Sequence, residues 1–176
     1  MKIYTKLIKE AKHFQADKND VRFYLQGFEL SKDYLTATNG HIAIQMRHKT
    51  KRVKKGIYNI TGRIPAKTET IDFVIRKDLK IVRYLDLFNK EIGVGQLDVI
   101  EGNYPNVDKK IIQPILKEPI CNNEIPRINP NYIGVIGKAL MCGYPSIDME
   151  FRGETKAIIT RSGSDIVNEL YGDPIV

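Results

Sequence analysis

Apolar positions in "TKLIKEAKHFQ" recur at helical spacing. Leu7, Ile8, Ala11 and Phe14 fall on one face, while Lys6, Lys9 and Lys12 gather on the other with His13 beside them. Glu10 is the one acid, at the boundary, and Thr5 is expected to cap the helix start. After "ADKND" the period changes. "VRFYLQGFEL" is rich in aromatic and branched residues and is expected as a strand, with "SKD" as a hairpin turn and "YLTATNGHIAIQM" as the returning strand region. Within it Asn39 and Gly40 form a turn dipeptide, since both tolerate positive φ, and His41 is presented at the bend. Residues 47–55, "RHKTKRVKK", read as a solvated basic loop able to touch phosphates.

"TIDFVIRKD", "LKIVRYLDLF" and "EIGVGQLDVIEG" read as a meander with "KD" and "NK" turns. Gly62 and Pro65 argue against a helix between Thr61 and Thr70. "GNYPNVDKKIIQPILKEP" reads as an extended connector punctuated by prolines. A helix is then expected over "NPNYIGVIGKAL", capped by Asn129 with Pro130 in its first turn and a buried stripe of Ile133, Ile136 and Leu140. Gly134 and Gly137 weaken it by about 1 kcal/mol each. "SIDMEFRG", "KAIITRSG" and "DIVNELYG" follow as strand candidates. The first and last of three modules share the order helix then antiparallel strands. The expected class is therefore α+β, with repeated modules and helices on one side of curved sheets. The boundaries are residues 1–117 for a two-module domain and 118–176 for a partial one.

Composition narrows the picture. The chain has 176 residues, 42% apolar and 28% charged, which supports a packed core. No stretch is long enough to span a bilayer, and "MKIYTKLIKEAKHF" lacks the apolar middle of a secretory signal, so a cytoplasmic protein without a membrane partner is expected. Twenty-eight Lys and Arg against 21 Asp and Glu give +7, which suits a polyanion. Cys121 and Cys142 form no CxxC pair and read as reduced thiols.

Candidate chemistry is sparse. There is no Walker-type loop and no GxSxG elbow. His13 and His48 sit among basic residues. His41 alone has a distinctive setting, and a lone histidine at a strand bend is more often structural than catalytic. Asp98 and Glu101, and Asp148 and Glu150, are acid pairs on strand-like segments. Positions two apart share a strand face, so Asp148 and Glu150 could converge on a magnesium ion. A metal-dependent nucleic-acid enzyme is the outlying alternative. The main expectation is no enzyme, no metal and no cofactor.

Three segments carry a resemblance. "DVRFYLQGFEL", "TATNGHIAI" and "VIEGNYPNVDKKI" resemble, in order and spacing, the "VRYYLNG", "ATDGHRLA" and "VEGRFPDY" segments of the bacterial sliding clamp family, the beta subunit of DNA polymerase III. Residues 3–114 resemble that family's middle domain, and "INPNYIGVIGKAL" onward resembles part of its last domain. The resemblance implies domains of two similar modules, with helices facing encircled duplex DNA and sheets forming the outer rim. It implies that Lys6, Lys9 and Lys12 face phosphates and that Lys18, Asn19, Phe23 and Tyr24 approach DNA. It also implies a pocket for short peptide motifs of a polymerase or clamp loader, made from Leu25, Thr38, Gly40, His41, Pro114, Pro174, Ile175 and Val176. A processivity factor is the expected function, as a homo-oligomer of four copies by module count. A clamp-fold module that docks on replication proteins without forming a ring is the alternative. Asn39 stands where the family has Asp, Ile42 where it has Arg, and the tail lacks the family's Met-Arg ending.

Overall fold

The computed structural model describes residues 1–120, 129–140, 147–152 and 157–162. Ten strands and three α-helices are found among them. The chain opens with a short strand, β1 (Lys2–Tyr4), that runs into helix α1 (Thr5–Lys12). Strands β2 (Phe28–Leu30), β3 (Tyr34–Thr38), β4 (Ala43–Arg47) and β5 (Gly56–Thr61) follow. Then come β6 (Thr70–Ile75), β7 (Lys80–Leu85) and β8 (Glu91–Ile100). All eight join one antiparallel sheet in the order β1-β6-β7-β8-β5-β2-β3-β4. The architecture is mixed helix and strand, and the sheet curls into a half-barrel. Curling brings the chain after β4 back to β1, where the Thr50 hydroxyl donates to the Lys2 carbonyl at 2.6 Å.

That strand order has an internal regularity. Exchanging each strand with the one four places later turns β1-β6-β7-β8 into β5-β2-β3-β4, so each half of the sheet becomes the other. The halves differ in their crossovers. Between β1 and β2 the chain forms α1, and between β5 and β6 residues 62–69 form a loop closed by Thr68 N–H to Pro65 C=O. Gly62 at φ 92° and Pro65 exclude a regular helix there, as expected.

The core lies between α1 and the sheet. Leu7, Ile8, Ala11 and Phe14 are all buried against Ile3, Phe28, Leu35, Ile44, Ile60, Ile71 and Val82. Phe73 meets Phe28 and Tyr58 edge-on, joining β2, β5 and β6 through one aromatic cluster. Thr5 does not cap α1. It is the first helical residue and is buried, its N–H donates to Glu69 C=O, and Tyr4 precedes it without a side-chain cap.

Several sequence expectations are corrected. Residues 23–26 form a single 3₁₀ turn, and only Phe28–Leu30 pairs as a strand. Local bonds outweigh strand propensity here: Gln26 Nε2 donates to the carbonyls of Lys18 and Asp20, and Ala16 N–H donates to Leu25 C=O. The connector is helical: a π-turn over Asp108–Ile112 leads into α2 (Gln113–Lys117). Asn106 caps it through Lys109 N–H, and the wide turn accommodates Pro114, which has no N–H to donate. "YLTATNGHIAIQM" is two strands, and β1 and β5 were not anticipated.

Asn129 does cap α3 (Pro130–Leu140), accepting from Asn131 N–H at 3.0 Å. Of the expected buried stripe, Ile133 is 46% exposed and Ile136 is partly buried, while Val135, not expected there, packs against the main core. Strands β9 (Ile147–Arg152) and β10 (Ala157–Ser162) form an antiparallel hairpin in which Asp148 lies opposite Arg161. Arg152 joins this hairpin to α2 through the carbonyls of Leu116 and Glu118. Leu140 and Asp148 are described by backbone alone. The strand expected over "DIVNELYG", and Cys121 and Cys142, lie outside the described residues.

Candidate nucleic-acid face and partner turn

The three lysines of α1 fare differently. Lys9 is exposed and Lys6 is partly exposed. Lys12 is committed elsewhere: its Nζ donates to the Ile60 carbonyl at 2.8 Å, and burial pushes its amine below the ordinary lysine range. It anchors α1 to the end of β5, so its share in any phosphate face is smaller than the pattern implied. His13 is exposed at the helix C-terminus. Lys18 and Asn19 are exposed in the loop before the 3₁₀ turn, Phe23 is 55% exposed, and Tyr24 is partly buried against Phe23 and Gly102. Phe23 and Tyr24 therefore lie on a turn, not alternating along a strand.

The "TATNG" segment builds a braced hairpin turn between β3 and β4. The Asn39 side-chain oxygen accepts from His41 N–H at 2.9 Å and Ile42 N–H at 3.1 Å. The Thr38 hydroxyl donates to Ile42 C=O at 2.7 Å and accepts from Gly40 N–H at 3.0 Å. Gly40 has φ 90°, and a Cβ there would lie 2.3 Å from the Arg22 guanidinium. Arg22 donates to Asn39 C=O at 3.1 Å and is itself held by Asp20 at 2.7 Å. The Arg22 side chain keeps the Asp20 carboxyl down at about 2.

Tyr104 ties the turn to the rest of the molecule. Its hydroxyl accepts from Thr38 N–H at 2.9 Å and donates to Gly27 C=O at 3.3 Å, and burial pushes its pKa well above the usual phenol range. The three sequence segments around Arg22 and Gly27, Thr38 and Asn39, and Tyr104 thus converge on one hydrogen-bonded node. Sequence reasoning missed Asp20, Arg22 and Tyr104. An Asp-x-Arg spacing before an Asn-Gly turn was the available signal.

His41 stands exposed at the outer end of this turn, and Tyr132 of α3 stacks on its ring at a centroid distance of 6.2 Å and 18° between planes. Of the residues expected around a peptide pocket, Gly40 and His41 are exposed together here. Leu25 is buried in the interior, and Thr38 is buried with its hydroxyl engaged on both sides. Pro114 is exposed on α2, which joins the β9–β10 hairpin. Pro174, Ile175 and Val176 lie outside the described residues.

Other candidates resolve differently from their sequence reading. His48 is buried, not solvated with the basic run: its Nε2 lies 3.1 Å from Ser31 C=O, and burial pushes its pKa down. Glu150 is bound by the Arg152 guanidinium at 2.6 Å. Among the described residues no group of three His, Cys, Asp or Glu gathers to hold a metal ion. No helix described is long and apolar enough to cross a membrane. No protein-family model, curated protein or solved structure matches the chain.

Proposed function

We propose that the chain is a clamp-like processivity factor that holds duplex DNA through sequence-independent contacts and receives short peptide segments of a polymerase or clamp loader at the β3–β4 turn. The observation that carries this reading is the strand order, in which the two halves of the sheet exchange under a shift of four strands. Domains of two similar modules are what the resemblance implies. The exposed amine of Lys9, beside partly exposed Lys6 on a helix whose other face is buried, supplies charge without base-reading geometry. Sliding requires contacts of that kind. The braced turn supplies a rigid, partly apolar platform suited to a short peptide. Assembly of several copies would complete a ring, four by module count.

A second reading is favoured by one observation. The Thr50–Lys2 bond draws the two ends of the sheet together within one chain, leaving less free edge for joining copies. On that reading the chain is a clamp-fold module that docks on replication proteins without encircling DNA.

The lysine face is tested by Lys6→Ala and Lys9→Ala combined, with association to a short duplex measured by fluorescence anisotropy across a salt series. Each phosphate contact removed lowers the slope of log K against log salt by about 0.9, so the pair is expected to flatten it by about 2. Lys12→Ala should chiefly loosen α1. An unchanged slope in the double variant removes the DNA-facing role of α1.

A further inference from the structure

We infer that the cavity between β1, the β4–β5 loop and the β7–β8 turn is a nucleic-acid site of its own, shaped for a short stretch of single strand. The inference goes beyond the function proposed above and does not rest on it, since it uses no residue of α1 or of the β3–β4 turn.

The cavity has a volume of about 660 Å³ and is lined by Lys2 and Tyr4 of β1, Lys49 and Lys51 of the loop, and Leu87 of the turn. That size is ordinary for a small-ligand site. Lys2 and Tyr4 alternate with Ile3, whose side chain joins the core under α1, so they stand on the other face of the sheet. The cavity therefore lies across the sheet from the α1 lysines. Its cations are carried on fixed backbone. The Thr50 hydroxyl donates to Lys2 C=O at 2.6 Å, His48 N–H to Asp33 C=O at 3.0 Å, and the Tyr58 hydroxyl to Lys54 C=O at 2.9 Å, which pins the loop at several points. Lys2 Nζ donates to the Asn89 side-chain oxygen at 3.0 Å, tying β1 to the turn. That bond uses one of the three donors of its ammonium.

Charge and rings together select the ligand. Beyond Lys49 and Lys51, the basic run adds exposed Arg47, Arg52 and Lys54 along the loop, and exposed Lys90 ends the turn. The acids of the lining are Glu69 and Asp86, and one Asp86 oxygen already accepts from Phe88 and Lys90 N–H. The balance favours an anion. Tyr4 is 43% exposed within the lining, and Phe88, 87% exposed, stands between the lining residues Leu87 and Asn89. Cations that follow a backbone beside rings that stack on bases are the two parts of a single-strand site. A duplex offers its phosphates but keeps its bases stacked on each other, so the two rings would gain nothing from it. An anionic bilayer would engage the lysines and the Leu87–Phe88 tip, but not Tyr4 within the concavity.

The test uses the full chain and a fluorescein-labelled thymidine oligomer of about twelve nucleotides, followed by anisotropy across a salt series. The wild type binds it, and binds an abasic oligomer of the same length about fivefold or more weakly, because the bases are gone. Lys49→Ala and Lys51→Ala combined flatten the slope of log K against log salt by about 1.4, the single-strand value for two phosphate contacts. Phe88→Leu and Tyr4→Leu each weaken binding of the thymidine oligomer about fivefold or more, while Tyr4→Phe keeps it. Phe88 is almost wholly in solvent, so its variant reads binding without a change in folding. Equal affinity for the thymidine and abasic oligomers, or an unchanged slope in the loop double variant, overturns the inference. So does full binding by Phe88→Leu together with flotation of the wild type on phosphatidylcholine–phosphatidylserine vesicles, which assigns the tip to a membrane. Lys6→Ala and Lys9→Ala combined leave the oligomer slope unchanged; a flattening equal to that of the loop variant would mean diffuse charge and no site. Loss of the duplex reading of α1 leaves every one of these outcomes in force.

Discussion

The two halves of the sheet share a strand order and differ in what fills their crossovers and turns. In the first half, the crossover from β1 to β2 carries α1, which buries three apolar side chains, with Phe14 buried just beyond its end. In the second, residues 62–69 cross without a helix, and Ile64 is only partly buried against the core. The β3–β4 turn of the first half is braced from elsewhere in the chain by Arg22 and Tyr104. Its counterpart between β7 and β8 is closed mainly from within, the Asp86 carboxylate accepting from Phe88 and Lys90 N–H, with one bond from outside, Lys2 Nζ to the Asn89 side-chain oxygen. That second turn presents Leu87 and Phe88 to solvent, 73% and 87% exposed. The lesson is that similar strand order does not distribute roles evenly. Long-range bracing and the exposed cations of α1 concentrate on the first half.

The sharpest way to break this comparison is to cut into each crossover. Phe14→Ala empties a fully buried site and is expected to cost about 3–5 kcal/mol, whereas Ile64→Ala should cost about 1–2 kcal/mol because part of its surface is already in water. Urea denaturation of both variants checks this. Equal losses would mean that the loop is as integral to the core as α1.

Glycine substitutions come next. Gly40 and Gly62 share a nearly identical φ, 90° and 92°, but a Cβ meets Arg22 at the first and nothing at the second. Gly62→Ala should cost about 1–2 kcal/mol from backbone strain alone. Gly40→Ala should cost about 2–3 kcal/mol, since Arg22 must also give way. Thermal or chemical unfolding separates them, and indistinguishable costs would show that the Arg22 brace is dispensable.

The smallest effect is electrostatic. Asp20 is held down at about 2 by Arg22, so its pairing contributes above the ordinary carboxylate pKa and fades as pH falls from about 4 towards 2. In Arg22→Ala the NMR titration midpoint of Asp20 should rise towards the ordinary carboxylate value and stop short of it, because the Arg22 backbone N–H still donates to Asp20 at 2.8 Å. A midpoint that stays near 2 would assign the shift to the local backbone instead.

Much of this was legible in the sequence. The 3.6-residue stripe of α1 and the alternation of β6, β7 and β8 gave those elements directly, and Asn129-Pro130 announced α3. The segment from Arg22 to Gln26 was misread because aromatic and branched residues favour strands, whereas Gln26 and the Asp20–Arg22 pair fold it into a turn through local hydrogen bonds. The connector was misread because prolines suggest extended chain, yet Asn106 starts a helical turn that tolerates Pro114. The pairing of Tyr104 with Thr38 spans 66 positions and depends on the sheet order, which no local pattern encodes. The burial of His48 and the commitment of Lys12 to a backbone carbonyl are likewise products of packing.

Encirclement of DNA is the central claim, and topology tests it most directly. The protein should be incubated with closed circular duplex at moderate salt, passed over a sizing column, and examined again after the circle is cut once. The account predicts co-elution with the intact circle and loss from the linear form, as expected for a ring that slides off an end. Equal retention on both forms, or none on either, would contradict encirclement and favour the clamp-fold docking module.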